Sequence, residues 1–167
     1  MKRLIYIIAG AAAFVVVMAL IVTAWMWPIL NEVETGVTPE YPEVQPRYYS
    51  TEPERIQTEV EAAMEALKRW EIVEVDSAAH RIDGERTTRL GFVGDVTVRV
   101  EPVTEFVSQV HVRSASRVGQ ADLGQNARNI DEFFHELDER LGAVKFDPSE
   151  AVEEREESSE QGLAGDG

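Results

Sequence analysis

Residues 113–130, Arg113-Ser-Ala-Ser-Arg-Val-Gly-Gln-Ala-Asp-Leu-Gly-Gln-Asn-Ala-Arg-Asn-Ile130, decide the fold of this chain. They join an alternating, strand-like segment to the start of an amphipathic helix. The connection carries arginines, two serine hydroxyls and an aspartate in a helix-capping position. Because a helix N-terminus presents unpaired N–H groups and a positive dipole end, such a junction is either a structural connection or an anion site.

The elements around this junction predict an α+β domain. The following helix is expected to start at Asp122, with Gln125 completing a capping box, and to end at Gly142. Upstream, alternating segments predict strands at residues 71–76, 78–92 (bulged at Asp83-Gly84), 96–101 and 106–116, with a further short strand at residues 47–49. A capping box at Thr51-Glu-Pro-Glu54 predicts the start of an earlier helix. The predicted fold is an antiparallel meander sheet of four or five strands with two helices packed on one face, preceded by one transmembrane helix.

The transmembrane helix is predicted from the apolar run Leu4–Trp27. About 24 residues span ~36 Å as a helix, more than a ~30 Å hydrocarbon core. Lys2 and Arg3 precede the run and no base follows before Arg47, which places the N-terminus in the cytoplasm. The run predicts a signal-anchor in the inner (cytoplasmic) membrane, single-pass, with an extracytoplasmic, periplasmic domain. A signal peptide cleaved after Val22-Thr-Ala24 is the alternative, which the length of the run disfavours.

Four segments follow from the composition. Residues 1–27 are the predicted anchor, residues 28–46 a Pro/acidic linker, residues 47–145 the extracytoplasmic α+β domain, and residues 146–167 a disordered acidic tail. The absence of cysteine excludes disulfides and thiolate catalysis. The net charge of −15 is unevenly spread, because residues 147–167 hold eight acids against Arg155, whereas the stretch Arg81–Arg128 holds seven arginines against six acids. The acidity disfavours nucleic acid as a partner.

Arginines are expected to share the sheet face that the helices leave uncovered. If the valines of the last two strands face the helices, Arg99, Arg113 and Arg117 point away from them, and Arg89 extends the group. Arginine binds carboxylate and phosphate bidentately, so this clustering predicts an anion near Arg113, Arg117 and the start of the second helix. The alternative is a set of cross-strand pairs with acids such as Asp95, which are ordinary on an exposed face.

Signatures of enzyme chemistry are weak, and no catalytic residue is predicted. His80, His111 and His135 lack ligand spacing, so we predict no metal and no cofactor. Gly119 and Gly124 are spaced as in a phosphate loop, but Gln125-Asn126 replaces the required Lys-Ser/Thr.

The junction resembles the domain-of-unknown-function 1499 family of bacteria and plants. The likeness rests on Arg113-Ser-Ala-Ser-Arg-Val-Gly119, Asp122-Leu-Gly-x-Asn126 and Arg128-x-Ile130, with Phe92-x-x-Asp95-Val-x-x-Arg99 upstream. It covers residues 48–141 and implies no activity, substrate or cofactor. The resemblance implies a set of shared, mostly polar residues: Phe92, Asp95, Arg99, Arg113, Ser114, Ser116, Arg117, Gly119, Asp122, Leu123, Gly124, Asn126 and Arg128. Members often carry two acids in the turn after Phe92, whereas this chain has Gly94 before Asp95.

The predicted function is a non-enzymatic envelope binding or assembly module that recognises an anionic small molecule or an envelope protein, with the membrane as a further partner through the N-terminal helix. An envelope hydrolase or transferase acting on a phosphorylated or glycan substrate, and a purely structural scaffold, are the alternatives. The predicted ligand- or partner-binding residues are Arg99, Arg113, Ser114, Ser116, Arg117, Asp122, Asn126 and Arg128.

Overall fold

The computed structural model of this protein describes residues 2–26, 30–119 and 122–142. Within those residues the chain forms three helices and six strands. Their order is α1 (Lys2–Met26), β1 (Glu32–Glu34), β2 (Arg47–Tyr49), α2 (Pro53–Ala66), β3 (Trp70–Asp76), β4 (Arg81–Thr87), β5 (Val93–Pro102), β6 (Ser108–Ser116) and α3 (Gln125–Leu141).

The strands make one antiparallel sheet. β3, β4, β5 and β6 form a meander in which each strand pairs with the next. The other edge of β6 is shared by two short strands, with β1 opposite Arg113–Ala115 and β2 opposite Ser108–Val110. The predicted antiparallel meander is confirmed, and two short strands complete it along one edge.

The core lies between one face of the sheet and the helices α2 and α3. The predicted alternation of β5 and β6 is confirmed, because their inward-facing valines are buried. Each fully buried aliphatic side chain stabilises the fold by roughly 1.5–3 kcal/mol. α2 contributes Ile56 and Met64 to the same cluster, and α3 contributes Ile130 and Phe133. Phe133 stacks on Trp70 with 6.2 Å between the ring centroids, which ties α3 to the start of β3.

The number of strands is a correction, because the structure has six rather than four or five. The added strand, β1, lies in residues 28–46, for which the composition predicts a linker. A three-residue strand is too short to show a period in the sequence. Its Val33 is fully buried and Val44 of the same segment is 4% exposed, so both belong to the core. The folded domain therefore includes residues before the predicted boundary at residue 47.

The predicted transmembrane helix is also corrected. Over the part of the chain that the structure describes, no helix is both long enough and apolar enough to cross a membrane. The extracytoplasmic location depends on this helix and stays a prediction.

Local details differ from the predictions for identifiable reasons. α2 is capped at Glu52 rather than Thr51, without a side-chain cap hydrogen bond. α3 starts at Gln125 rather than Asp122, because Leu123 and Gly124 have φ values of 54° and 73°, which a right-handed helix excludes. The bulge lies in β3, between Ile72 and Glu74, instead of at Asp83-Gly84. The predicted strand at 47–49 and the helix end at Gly142 are confirmed, and the predicted tail, 146–167, lies outside the described residues.

Candidate functional site

Three of the predicted arginines, Arg99, Arg113 and Arg117, lie on the uncovered face of the sheet, and an acid pairs with each of them. Arg89 lies instead on the β4–β5 turn and Arg128 on α3. Arg113 forms a bidentate pair with Glu32 of β1, with nitrogen–oxygen distances of 2.7 and 2.6 Å. Arg99 pairs with Glu34 of the same strand. We call this side of the sheet the outer face.

Arg117 is also paired, although it follows the last residue of β6. Its guanidinium contacts Asp95 and Glu85, each at 2.6 Å. Hydrogen bonds to Asp95 and Glu85 raise the pKa of Arg117 further above its usual range. Likewise, hydrogen bonds from Arg113 hold the pKa of Glu32 below its ordinary value. The charge of these arginines is therefore already met by neighbouring strands.

The predicted hydroxyl and amide residues lie on the opposite side of the sheet, under α3. Ser114 is fully buried, and its hydroxyl donates to Asn126 Oδ1 at 2.9 Å and accepts from Asn129 Nδ2 at 3.0 Å. Asn126 Nδ2 donates to the Asn31 carbonyl at 2.8 Å and to Ser116 Oγ at 3.3 Å. This network joins the start of β1, the end of β6 and the start of α3. The predicted site is thus divided by the sheet into two parts with different environments.

Asp122 caps the start of α3 from two positions before the N-cap residue Gly124, rather than as the first residue of a capping box with Gln125. Its two carboxylate oxygens accept from the backbone N–H groups of Gly124 at 2.9 Å and Asn126 at 2.6 Å. These are the donors that an anion at the helix N-terminus would use. The chain's own carboxylate therefore satisfies the position where the sequence predicted a ligand.

A groove of about 960 Å³ opens at the end of the sheet where β6 leads into α3. Its floor is the last inward-facing row of the sheet, in which Gly94 of β5 pairs with both Arg86 of β4 and Ser116 of β6. The β4–β5 turn (residues 88–92) lines one wall, residues 118–119 and 122–123 line the other, and α3 covers the inner side. We call this the junction groove.

Gly94 keeps the floor of the junction groove open. A Cβ atom at this position would lie 2.9 Å from the Ala115 carbonyl oxygen, closer than real side chains come to a backbone. Because glycine has no side chain, nothing at this position fills the space between Arg86 and Ser116. Gly94 is also the position at which the chain departs from the resembled family pattern.

Arg86 is the buried cation of the junction groove, and the sequence did not single it out. Its side chain is only 9% exposed, and its Nη2 lies 3.4 Å from Glu132 Oε2, a long ion pair. Its Nε is buried and has no hydrogen-bond partner among the described residues. A buried N–H without an acceptor costs about 1–3 kcal/mol, so this donor would gain from an acceptor in the groove.

Three further arginines line the junction groove. Arg69 donates to the Thr87 carbonyl at 3.1 Å, and Arg128 donates to Gln125 at 3.5 Å. Within the described residues, Arg69, Arg89 and Arg128 make no ion pair with a carboxylate. The acids of the groove are Asp122, Asp131 and Glu132. The groove therefore has four guanidinium groups against three carboxylates, and the Asp122 carboxylate is already bonded to the backbone at the start of α3.

A smaller cavity of about 490 Å³ lies beside β1 and β2 on the outer face. Arg99 and His111 line it, but Arg99 pairs with Glu34, and His111 Nε2 is 3.6 Å from Glu101. Its arginine is therefore matched by an acid, unlike Arg69, Arg89 and Arg128 of the junction groove. No group of three or more His, Asp or Glu residues arranged for a metal occurs in the described part of the chain.

A family model, "Protein of unknown function (DUF1499)", matches residues 25–137. The chain belongs to this family. The resemblance inferred from the junction motif is therefore confirmed. None of the curated proteins matches the chain.

Solved structures give distant likenesses to this DUF1499 member. The di-domain ARO/CYC BexL from the BE-7585A biosynthetic pathway is 17% identical, with a TM-score of 0.44 over 65% of this chain and 44% of that one. The chain thus spans less than half the length of BexL. TTHA0849 from Thermus thermophilus is 14% identical, with a TM-score of 0.35 over 65% of this chain and 95% of that one. Neither likeness bears on the ligand or activity of this DUF1499 member.

The matched residues include both the outer face and the junction groove, so family membership by itself does not identify which of the two is the binding site. It includes β1, which supplies Glu32 and Glu34 to the outer face, and Arg86, which lies in the junction groove. A signal for Arg86 does exist in the sequence of this DUF1499 member. Ile82, Gly84 and Arg86 alternate on β4, which places the arginine on the same buried face as the isoleucine.

Proposed function

We propose that this protein is a non-catalytic binding module whose junction groove holds an anionic group, a carboxylate or a phosphate. The observation that carries the proposal is Arg86, a buried guanidinium in the groove floor with one N–H lacking an acceptor among the described residues. The proposal keeps the class of function predicted from the sequence and keeps Arg128 among the binding residues, but it moves the site from Arg99, Arg113 and Arg117 to Arg86. The predicted location in the cell envelope depended on a transmembrane helix and is not part of this proposal.

The charge distribution supports the junction groove over the outer face. On the outer face, Arg113 and Arg117 hold carboxylates at 2.6 Å, so an incoming anion would have to displace an acid of the protein. In the groove, Arg89 and Arg128 have no carboxylate partner among the described residues, and an anion meets them without that competition. Guanidinium groups bind carboxylate and phosphate through two parallel hydrogen bonds.

The enzyme alternative receives less support from the same groove. Ser116 and Asp122 both line it, but Asp122 accepts two backbone hydrogen bonds as a cap, and Ser116 Oγ accepts from Asn126. Among the described residues that line the groove, none is a histidine that would activate the hydroxyl. The side chains that catalysis would need are therefore engaged in holding the junction together.

Thermal unfolding of the full-length protein with added anions tests this proposal. Inorganic phosphate and acetate are titrated to about 100 mM at constant ionic strength, with sodium chloride as the balance. Because a ligand that binds only the folded state raises the unfolding midpoint, a rise of several degrees is expected for at least one anion.

Two methionine variants locate the effect. Arg86→Met removes the buried cation of the groove, and Arg113→Met removes a cation of the outer face as a matched control. The midpoint rise is expected to disappear in Arg86→Met and to persist in Arg113→Met. An equal rise in all three proteins, or no rise with either anion in the wild-type protein, contradicts the proposal.

A further inference from the structure

We infer that the anion held in the junction groove is the head group of a single-chain amphiphile, an alkyl carboxylate or alkyl phosphate, whose apolar chain lies along the rim. This inference rests on the proposed anion site and adds the chemistry of the rest of the ligand. It follows from apolar side chains that surround the entrance to the groove.

Four large apolar side chains of the groove are exposed to solvent. On the β4–β5 turn, Leu90 is 84% exposed and Phe92 is 54% exposed. On the other wall, Val118 is 67% exposed and Leu123 is 62% exposed. Isolated exposed apolar residues are common, but a group that rims one concave site is typical of a ligand-binding surface.

The β4–β5 turn presents its apolar and cationic side chains together. The turn is closed by hydrogen bonds from Thr88 N to the Phe92 carbonyl at 2.8 Å and from Phe92 N to Thr88 Oγ1 at 3.0 Å. Gly91, with a φ of 85°, completes it. Arg89 and Leu90 are therefore held next to each other at its tip, one suited to an anionic head group and one to a hydrocarbon chain.

The opposite wall holds Leu123 in a backbone conformation that leucine disfavours. Its φ of 54° lies in the left-handed region, where glycine and asparagine are preferred. The cap formed by Asp122 and the hydrogen bond from Asp122 N to the Leu30 carbonyl at 3.0 Å fix this turn on both sides. An exposed leucine in this conformation gains nothing from burial in the protein itself, but it would gain from contact with an apolar ligand.

Charge and hydropathy are therefore layered in the junction groove. The buried Arg86 guanidinium lies in the floor, whereas Arg89 and Arg128 are exposed at the entrance together with the apolar side chains of the rim. A ligand that matches this order has an anionic end directed inward and an apolar chain at the entrance. The volume of about 960 Å³ falls in the range of about 300–1,000 Å³ that is typical of small-ligand sites.

A chain-length series tests the inference. Binding of acetate, hexanoate, octanoate, decanoate and decyl phosphate to the full-length protein is measured by calorimetry, with each amphiphile below its micelle-forming concentration. If each added methylene leaves water at the rim, the dissociation constant is expected to fall about three- to fourfold per methylene over the first part of the series. The comparison of decanoate with decyl phosphate identifies the preferred head group.

Substitutions test whether the gain in affinity with chain length comes from the apolar side chains of the rim. Leu90→Ser and Phe106→Ser are compared, because both side chains are largely exposed but Phe106 lies on the β5–β6 turn at the other end of the sheet. Leu90→Ser is expected to weaken decanoate binding at least fivefold and to leave acetate binding unchanged, whereas Phe106→Ser changes neither. The exposed apolar side chains of α1, such as Phe14, are a competing surface for the amphiphile. Binding there would be insensitive to both Leu90→Ser and Arg86→Met.

Each outcome separates the two proposals. Acetate or phosphate binding that requires Arg86 but does not strengthen with chain length overturns this inference and leaves the anion site standing. Affinity that rises with chain length equally in the wild-type protein, Leu90→Ser and Arg86→Met overturns the inference in favour of adsorption to α1. Absence of binding across the whole series overturns both proposals. If Arg86→Met does not fold, the exposed pair Arg89→Gln/Arg128→Gln replaces it and is expected to weaken decanoate binding at least tenfold.

Discussion

The two sides of the sheet use the same residue type in opposite ways. On the outer face, arginines of β5 and β6 meet acids of neighbouring strands at hydrogen-bond distance, in contact with solvent. In the junction groove, a buried arginine has a long ion pair and an unpaired N–H, and its arginine neighbours have no carboxylate partner among the described residues. A cluster of arginines therefore indicates an anion site only where the chain does not provide the anions itself.

The difference originates in the strands that flank each arginine. Arg113 faces β1, whose outward positions are both glutamates, so its partner is built into the sheet register. Arg86 faces Gly94 on one side and Trp70 on the other, and neither residue supplies an acceptor side chain. The consequences of this contrast for stability and pH dependence are measurable.

The largest effect is expected from Asn126→Ala in the network beneath the groove. This substitution removes the buried acceptor of the Ser114 hydroxyl and the donor of a part-buried hydrogen bond to the Asn31 carbonyl. Stranded buried polar groups cost about 1–3 kcal/mol each, so a loss of about 2–4 kcal/mol in the free energy of unfolding is expected by urea titration. Arg128→Ala, on the same helical turn but exposed, is the control and should change stability by less than about 0.5 kcal/mol. Equal losses in the two variants would show that the network is not structural.

A smaller change, of opposite sign, is expected from Arg86→Met without ligand. Exchanging a buried cation for an apolar side chain of similar length is often neutral or stabilising. We expect the free energy of unfolding to stay constant or to rise by up to about 1 kcal/mol. Glu132→Gln, which leaves the guanidinium without that carboxylate, should instead destabilise the protein, but by less than the ~3–5 kcal/mol of a fully buried pair, since Glu132 is 39% exposed. A loss above about 2 kcal/mol in Arg86→Met would make Arg86 a structural residue and remove the contrast between the two sides.

On the outer face, Arg113→Ala is expected to cost only about 0.5 kcal/mol. Its side chain and that of Glu32 are 36% and 45% exposed, and solvent-exposed pairs contribute roughly 0–1 kcal/mol. A double-mutant cycle with Glu32→Ala measures the coupling directly, and the coupling should weaken in about 0.5 M salt. A coupling that salt leaves unchanged would mean that the outer face is not screened by solvent.

The smallest effect is a dependence of stability on acidic pH that comes from Glu32. Arg113 lowers the pKa of this carboxyl in the folded protein from its ordinary value of 4.5, so the unfolded state binds more protons as the pH falls. The contribution is therefore complete above about pH 4.5 and is lost as the pH falls through the folded pKa. Glu32→Gln should be less stable than the wild-type protein by a few tenths of a kcal/mol at about pH 6, with the difference vanishing once the pH lies below the folded pKa of Glu32. A difference that is constant over this pH range argues against the ion pair.

Much of the fold was predictable because long elements carry periodic patterns. The valines of β5 and β6 fixed the buried face, and the stripe on α3 fixed the helix that covers it. β1 was missed because three residues carry no period and its pairing partner lies far along the chain. The start of α3 was misplaced because the left-handed backbone of Leu123 depends on packing in the connection, which a pattern of residue types does not encode.

The candidate site was only half predictable for the same reason. The outward direction of Arg113 and Arg117 follows from the alternation of side chains along β6. That their charges are paired depends on Glu32 of β1 and on the strand pairing that brings Glu85 of β4 next to Arg117. Arg86 was missed because the sequence predicts one bulged strand over residues 78–92. A bulge changes which residues face the core, so the alternation alone did not place Arg86 on the inner face of β4. Contacts between strands, rather than residue types along them, decide which arginines stay unpaired.

The pairing of β1 with β6 sets the order in which the parts of the chain can fold. Glu32 and Arg113 are 81 positions apart, so the first strand of the sheet must wait for the last. At about 5–20 residues per second, synthesis leaves β1 without its partner for roughly 4–16 s. During that interval Val33 has no core to enter, and closing so long a loop is entropically costly and slow. The earliest part of the domain to leave the ribosome is therefore among the last to become native.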